Sequence, residues 1–514
     1  MERAHKAVLS CLLAAAIALG LTVSVTAAPP DDITYSEYGA VGDGVTDDFD
    51  AIVAAHAAAN AAGLPVRADP GMTYYIGDHA KTAVIQTDTD WGDARFIIDD
   101  SGVSENRGWN IFEVRSALPR QTVTGIGALT KGQEQLGVSL DADSLVLVFD
   151  DNVRHYIRKG GNANAGTAQS DLFLADKDGT VDPATPIVWD FASVTRATAI
   201  PVDPEPLTVR GGVFTTIANR VLSESYYGRG LRVTRSNVTV DGIEHYVTGE
   251  GADCSPYSGF MIISECANVT VQNCVFSGRK QVLQGTYDIN PSRSVNVTFR
   301  NCTQANSIHD ASLWGIMGSN FTKNLMYDGC SLSRFDAHQG TYDAVIRNSV
   351  IGCRGITLIG GGTFLMEDSQ VHSGNMISLR DDYGSTWDGE LIIRNCEFFP
   401  GQAIKPALIN GSNDGRHDFG YPCSMPGKIT IDGLVIRDKD HPFFYLGPRI
   451  FGDFDGLWLP VRDMFEKPLY PYTLTKEVVL RNVRAESRWP LWKSGNFLRF
   501  WGAAVHSIAV SPGI

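Results

Sequence analysis

The sequence predicts an all-β fold: a single-stranded right-handed parallel β-helix with an N-terminal capping helix. Three observations point there. First, seven segments repeat one short pattern, starting at Asn237, Asn268, Asn296, Asn324, Asp343, Thr363 and Glu390, and three of them read N-V-T-[VF]-x-[GN]-[IC]. Each alternates apolar and polar residues and then turns at Gly or Asn, which is the period of a strand with one buried face. Second, the steps between copies are 31, 28, 28, 19, 20 and 27 residues. A strand this short cannot bury its face alone, so recurrence at a fixed phase implies coils stacked on one another. Third, 52 glycines, 43% hydrophobic and only 20% charged residues suit an all-β solenoid. Neither a helical repeat nor a leucine-rich consensus is visible.

Stacking carries expectations for individual residues. The seventh position holds Ile243, Cys274, Cys302, Cys330, Ser349, Ser369 and Cys396, a ladder of small side chains for the interior. The sixth holds Gly242, Asn273, Asn301, Gly329, Asn348, Asp368 and Asn395, where amides would bond up and down the stack.

In chain order, residues 1–28 have the pattern of a secretory signal peptide. Arg3 and Lys6 precede an apolar run from Val8 to Val25 and small residues at Ala27 and Ala28. The β-helix domain is expected over 29–514. Tyr35–Gly63 reads as a strand, a Gly-rich turn over 39–44 and a helix. Thr46 or Asp47 would cap that helix, Asp47, Asp48 and Asp50 would favour its first turn, and Gly63 would end it. Ile52, Ala55, Ala59 and Ala62 form its apolar face, suited to plugging the open end of a β-helix.

The run Y-G-A-V-G-D-G-V-T-D-D-F-D-A-I (Tyr38–Ile52), followed by Asp69-Pro70-Gly71-Met72-Thr73-Tyr74-Tyr75, resembles the opening of the pectate-lyase-like superfamily. That group holds rhamnogalacturonase- and epimerase-like enzymes. The resemblance implies the right-handed β-helix and a structural role for Asp43, Asp47 and Asp48. It does not carry a reaction. The N-T-D, D-D, G-H-G and R-I-K set of the polygalacturonase-type hydrolases is not present in order, although Asp381-Asp382 and an A-H-Q-G occur. The W-I-D-H motif of pectate lyases is missing.

Residues 80–235 read as early coils with long insertions, 237–401 as the regular stack, and 402–476 as long aromatic loops. Two wider-spaced copies follow, at 428–434 and 477–483. Trp489, Trp492, Phe497, Phe500 and Trp501 would cover the C-terminal end of the core. The net charge of -15 argues against nucleic acid or an anionic membrane as main partner, yet leaves room for an acidic polysaccharide in a basic cleft. No cofactor is expected, and no Cys/His spacing suggests a metal. Cys254 and Cys266 are near enough in sequence to pair in an oxidising compartment.

In a solenoid, function sits where long turns from successive coils line one face. The turns at 277–288, 305–315, 333–340 and 379–388 would align. Asp310, Asp336, His338 and Asp382 are the expected catalytic residues. Lys280, Tyr287, His309, Trp314, Arg334, Arg380, Tyr383 and Trp387 are the expected substrate-binding set. Paired acids beside aromatic rings suit a polysaccharide substrate. With three acids, hydrolysis is favoured, and elimination from a uronate-containing glycan comes second. A non-catalytic, adhesive β-helix is the alternative of another class.

Overall fold

A computed structural model describes residues 31–280, 282, 284–452, 468–494 and 504–509. The signal-like segment, Trp458, Phe497, Phe500 and Trp501 lie outside them. The architecture is a parallel β-helix whose coils each cross three parallel ribbons.

The seven repeated segments form the first ribbon, in register throughout. One inward position runs Leu207, Val238, Val269, Val297, Leu325, Ala344, Phe364, Leu391, Ile429 and Val478. The strands Lys428–Ile436 and Glu477–Ala485 therefore continue the stack as expected. A second ribbon follows the turn (Glu244–Thr248, Val275–Phe276, Thr303–Gln304 and onward). A third returns the chain (Met261–Ser264, Ile289–Arg300 in its first half, Ile377–Leu379, Ala407–Asn410).

The repeat letters have a backbone cause. Asn237, Asn268, Asn296, Asn324 and Asp343 open their copies at φ 56, 59, 55, 56 and 55°. The sixth position is also left-handed, with Asn273 at 54°, Asn301 at 51°, Gly329 at 68° and Asn395 at 49°. Only Gly, Asn and Asp occupy that region without substantial cost. The amide ladder runs mainly on the first position rather than the sixth. Asn268 donates to Asn237 (2.9 Å), Asn296 to Asn268 (2.8 Å) and Asn324 to Asn296 (2.8 Å). At the sixth position Asn301 reaches Asn273 at only 3.4 Å.

Cys274, Cys302, Cys330 and Cys396 form the buried column, and all eight described cysteines are free thiols, Cys254 and Cys266 included. In the two tightest steps serine replaces cysteine. The Ser349 hydroxyl accepts the Cys330 amide and that of Ser369 accepts the Ser349 amide, each at 3.0 Å.

Helix α1 (Phe49–Ala62) lies over the first coils and buries Phe49, Ile52, Ala55, His56 and Ala59, while Ala62 is exposed. Its N-cap is Asp48, whose own side chain makes no cap bond, while the Asp47 carboxylate accepts the amide of Phe49, the first helical residue, at 3.1 Å. Asp48 instead accepts the amides of Val41 (2.6 Å) and Gly42 (3.2 Å), and Asp43 those of Val45 and Thr46. These acids fold the Gly-rich turn under the helix. Gly63 ends the helix at φ 68°.

Between coils sits an inserted antiparallel sheet over 121–201, built on Ser144–His155, Thr167–Ala175 and Arg196–Pro201. Val146, Val148, Phe173, Ile187 and Phe191 give it its own core. Its other face, through Leu145, Leu147, Tyr156 and Leu172, packs on Ala267, Val295, Phe321 and Phe419 of the coils. Lys323 and Asp171, both nearly fully buried, pin the two together at 2.8 Å.

The ladder predicts a cost. Asn268→Ala loses two amide bonds and puts a Cβ-bearing residue at φ 59°, so it should destabilise by about 2 kcal/mol. Asn268→Gly should lose about half of that, because glycine keeps the turn. Denaturant midpoints of the two variants, at unchanged m-value, check it.

Candidate functional site

The outer face of the third ribbon forms a polar floor. Asp336 pairs in register with Thr357, Thr357 with Ser378, and Ser378 with Asn410, all pointing away from the core because Phe335, Ile356 and Ile377 point into it. Around this floor the structure gathers eight of the twelve expected residues: Tyr287, Trp314, Arg334, Asp336, His338, Arg380, Asp382 and Tyr383.

Their contacts are direct. The Arg334 guanidinium lies 2.8 Å from Asp336, whose side chain is fully buried and has no other hydrogen-bond partner among the described residues. Arg334 also sits 5.8 Å over the Trp314 ring. The charges of Asp336, Arg334 and Arg380 act on Tyr287, whose hydroxyl burial pushes up. Arg380 holds Asp382 through Nε (3.0 Å) and Nη2 (2.6 Å). Burial works against ionisation of Asp382, but those bonds and the charges of Arg380 and Arg158 hold its carboxyl below the usual range. Asp382 is therefore ionised.

His338 lies within electrostatic reach of both acids. Its ring meets that of Tyr383 edge-on at 5.7 Å, and Nδ1 faces the Asn320 amide oxygen at 3.0 Å. With an oxygen as partner, Nδ1 donates and Nε2 is the free acceptor. Burial, helped by the neighbouring arginines, pushes its pKa down to about 4, so the ring is neutral near pH 7.

Four expected residues are elsewhere. Trp387 is a core residue, fully buried against Phe364, because it opens an inward-facing strand position. Lys280 turns to the coil before it, where its ammonium donates to the Glu250 carbonyl at 3.2 Å. The loop carrying His309 and Asp310 folds back along the second ribbon. The Cys353 amide holds the Ile308 carbonyl, His309 faces His372 at 4.9 Å, and Asp310 takes the amide and hydroxyl of Ser312. Only Trp314 of that loop returns to the cleft.

Sequence reasoning missed Arg158, which reaches Asp382 at 2.8 Å from the inserted sheet, 224 residues away. It also missed Asn320. Neither lies in a turn that coil stacking singles out. The Arg-Lys pair at 158–159 was the one local signal.

A second charged cluster lies under the cleft wall. Thr216, His245 and Asp288 bond in series at 2.9 and 2.8 Å, with Arg279 beside Asp288 and the pair Asp100–Arg229 nearby. All are sealed from solvent, so this arrangement braces the loops. Among the described residues no group of three or more His, Cys, Asp or Glu is placed to hold a metal ion.

No family model matches the chain, and no curated protein matches it by sequence. Solved structures are similar to it. The tailspike of Pseudomonas phage phi297 superposes with a TM-score of 0.53 and 15% identity, over 89% of this chain and 81% of that one. The tailspike of Acinetobacter baumannii bacteriophage AP22, solved with A. baumannii capsular saccharide, gives 0.49 and 11% over 89% and 76%. The Streptococcus pneumoniae surface adhesin PfbA gives 0.42 and 14% over 88% and 89%. At such identities the likeness is one of fold, the right-handed parallel β-helix.

The His338 environment sets a pH dependence. Its folded pKa of about 4 lies below the ordinary 6.5. The unfolded chain therefore takes up the proton first as pH falls. The stability this residue contributes is complete above 6.5 and is lost progressively down to 4. His155, likewise lowered to about 4 by burial, titrates in the same window. His338→Asn should reduce the slope of unfolding free energy against pH, near pH 5, by up to about 1.4 kcal/mol per pH unit. Denaturant unfolding over a pH series reads that slope.

Proposed function

We propose that the protein binds a polysaccharide along the outer face of the third ribbon and cleaves a glycosidic bond there. The observation that carries this reading is the meeting of Asp336, His338 and Asp382 with the half-buried rings of Tyr287 and Trp314, above the buried Tyr383. Rings supply flat apolar surface for sugar faces, and a few convergent charged groups orient the chain. In hydrolysis, ionised Asp382 takes the role of base or nucleophile, and Asp336, ion-paired with Arg334, is the second carboxyl group of the pair. The site therefore offers two acids rather than three, since Asp310 lies outside it. The reading includes export through the signal-like segment 1–28, which gives access to a polymer too large to enter a cell.

One observation favours elimination as the second reading. Neutral His338 presents an unprotonated Nε2 beside arginines able to neutralise a uronate carboxylate.

A panel of polysaccharides, read for reducing ends and for absorbance near the unsaturated-uronate band, separates the readings. Reducing ends without absorbance are expected. Both signals together would transfer the assignment to elimination. Retained binding with neither signal would leave a binding protein and refute cleavage. Asp336→Asn and Asp382→Asn should each lower turnover by on the order of a hundredfold or more.

A further inference from the structure

The inserted sheet does more than cover the coils. Its first hairpin, between Ser144–His155 and Thr167–Ala175, is fastened at the cleft by backbone bonds. The Ile157 amide donates to the Phe419 carbonyl (3.1 Å) and the Lys159 amide to the Asp382 carbonyl (3.0 Å), while His417 Nε2 meets the Ile157 carbonyl at 2.9 Å. Tyr156, just before, is left-handed at φ 57° and buried between the rings of Phe321 and Tyr421. A bulky residue holds that conformation only where its surroundings enforce it. The anchoring fixes the next side chain but one, Arg158.

Arg158 and Arg380 share a single carboxylate. Nε of Arg158 reaches Asp382 Oδ2, and both guanidinium groups lie over the Tyr383 ring, at 5.4 and 5.3 Å. No hydrogen bond among the described residues uses the terminal nitrogens of Arg158. The cleft holds three guanidinium groups, Arg158, Arg334 and Arg380, against two carboxylates, Asp336 and Asp382, with His338 neutral. Guanidinium groups thus outnumber carboxylates here, in a chain of net charge -15. These side chains are 22, 12 and 15% exposed. Asp382 balances only one of the two closely placed, poorly hydrated cations Arg158 and Arg380, which leaves the pair open to a further anion. Guanidinium forks match planar or tetrahedral oxyanions in two-pronged fashion.

We propose that the hairpin of the inserted sheet delivers Arg158 as the specificity-determining residue of the cleft, and that the polysaccharide bears an anionic substituent which Arg158 and Arg380 grip together. That substituent is a carboxylate, sulfate or phosphate. The proposal rests on the reading of the cleft as a glycan site, and it holds for hydrolysis and elimination alike.

The test is an array of immobilised acidic polysaccharides (uronate-containing, sulfated and phosphorylated) with a neutral counterpart of each, carboxyl-reduced, desulfated or dephosphorylated. Binding should be confined to acidic members and should weaken as salt is raised. The class retained identifies the oxyanion. Arg158→Gln should weaken binding tenfold or more. Arg158→Lys, which keeps the charge but loses the fork, should fall between. Arg196→Gln, which removes a cation paired with Asp151 on the same inserted sheet, should bind as the wild type does. Equal binding of neutral members, or full binding of acidic ones by Arg158→Gln and Arg158→Lys, would overturn the proposal and leave the glycan reading standing. Binding to no member would overturn both.

Discussion

The whole molecule hangs on the left-handed corners of its coils. All seven copies of the repeat leave their strand through a residue at positive φ and the first five also enter through one, and those residues are Asn, Asp or Gly because a larger Cβ-bearing side chain would be strained there. With both corners fixed, every coil leaves its strand in the same direction. Neighbouring coils then pair in register without a slip, and a slip of one residue would turn every core side chain outward. The Asn amides that the corners require also bond to one another along the axis. The feature that bends one coil thus joins it to the next.

The same register makes the cleft. Because Asp336, Thr357 and Ser378 occupy equivalent places on successive coils, they form a continuous polar strip on the side away from the core, with Asp336 covered and Thr357 and Ser378 half-buried, while Phe335, Ile356 and Ile377 fill the inside. The loops of neighbouring coils and the hairpin of the inserted sheet reach this strip, through Trp314 and Arg158. Each brings charge close to partly buried charge. Such pairs gain little net stability, since loss of hydration offsets most of their attraction. Asp336 is an extreme instance: its carboxylate is out of solvent, and among the described residues its one ion pair is with Arg334. A stable core beneath tolerates groups of this kind, and their clustering on one face is what distinguishes this surface from the rest of the solenoid.

A parallel β-helix hosts unrelated activities, and shared fold with the phage phi297 tailspike at 15% identity leaves the chemistry open. Chemistry here depends on departures from the repeat. The insertion at 121–201 interrupts the coils, has a core of its own, and contributes a cation to the cleft. The buried series Thr216–His245–Asp288 shows the contrast: its groups stand in an order familiar from nucleophilic catalysis, but nothing reaches them from solvent.

The sequence by itself determined the β-helix, the phase of its nine stacked strands from Asn237 to Glu477, the thiol column and the helix over the first coil. Each of these follows from local rules: a period of two, a corner that needs Asn or Gly, a helix ended by Gly63. It also named eight residues of the cleft, because coil stacking makes neighbours of residues roughly one repeat apart. Tertiary structure decided the rest. It turned Trp387 into the core and Lys280 toward Glu250, folded His309 and Asp310 back along the second ribbon, and brought Arg158 across from the inserted sheet. The physical reason is that a strand's register is set by its own repeating pattern, whereas the course of a long loop is set by whichever distant surface it packs on, and that surface leaves no periodic mark in the loop's own residues.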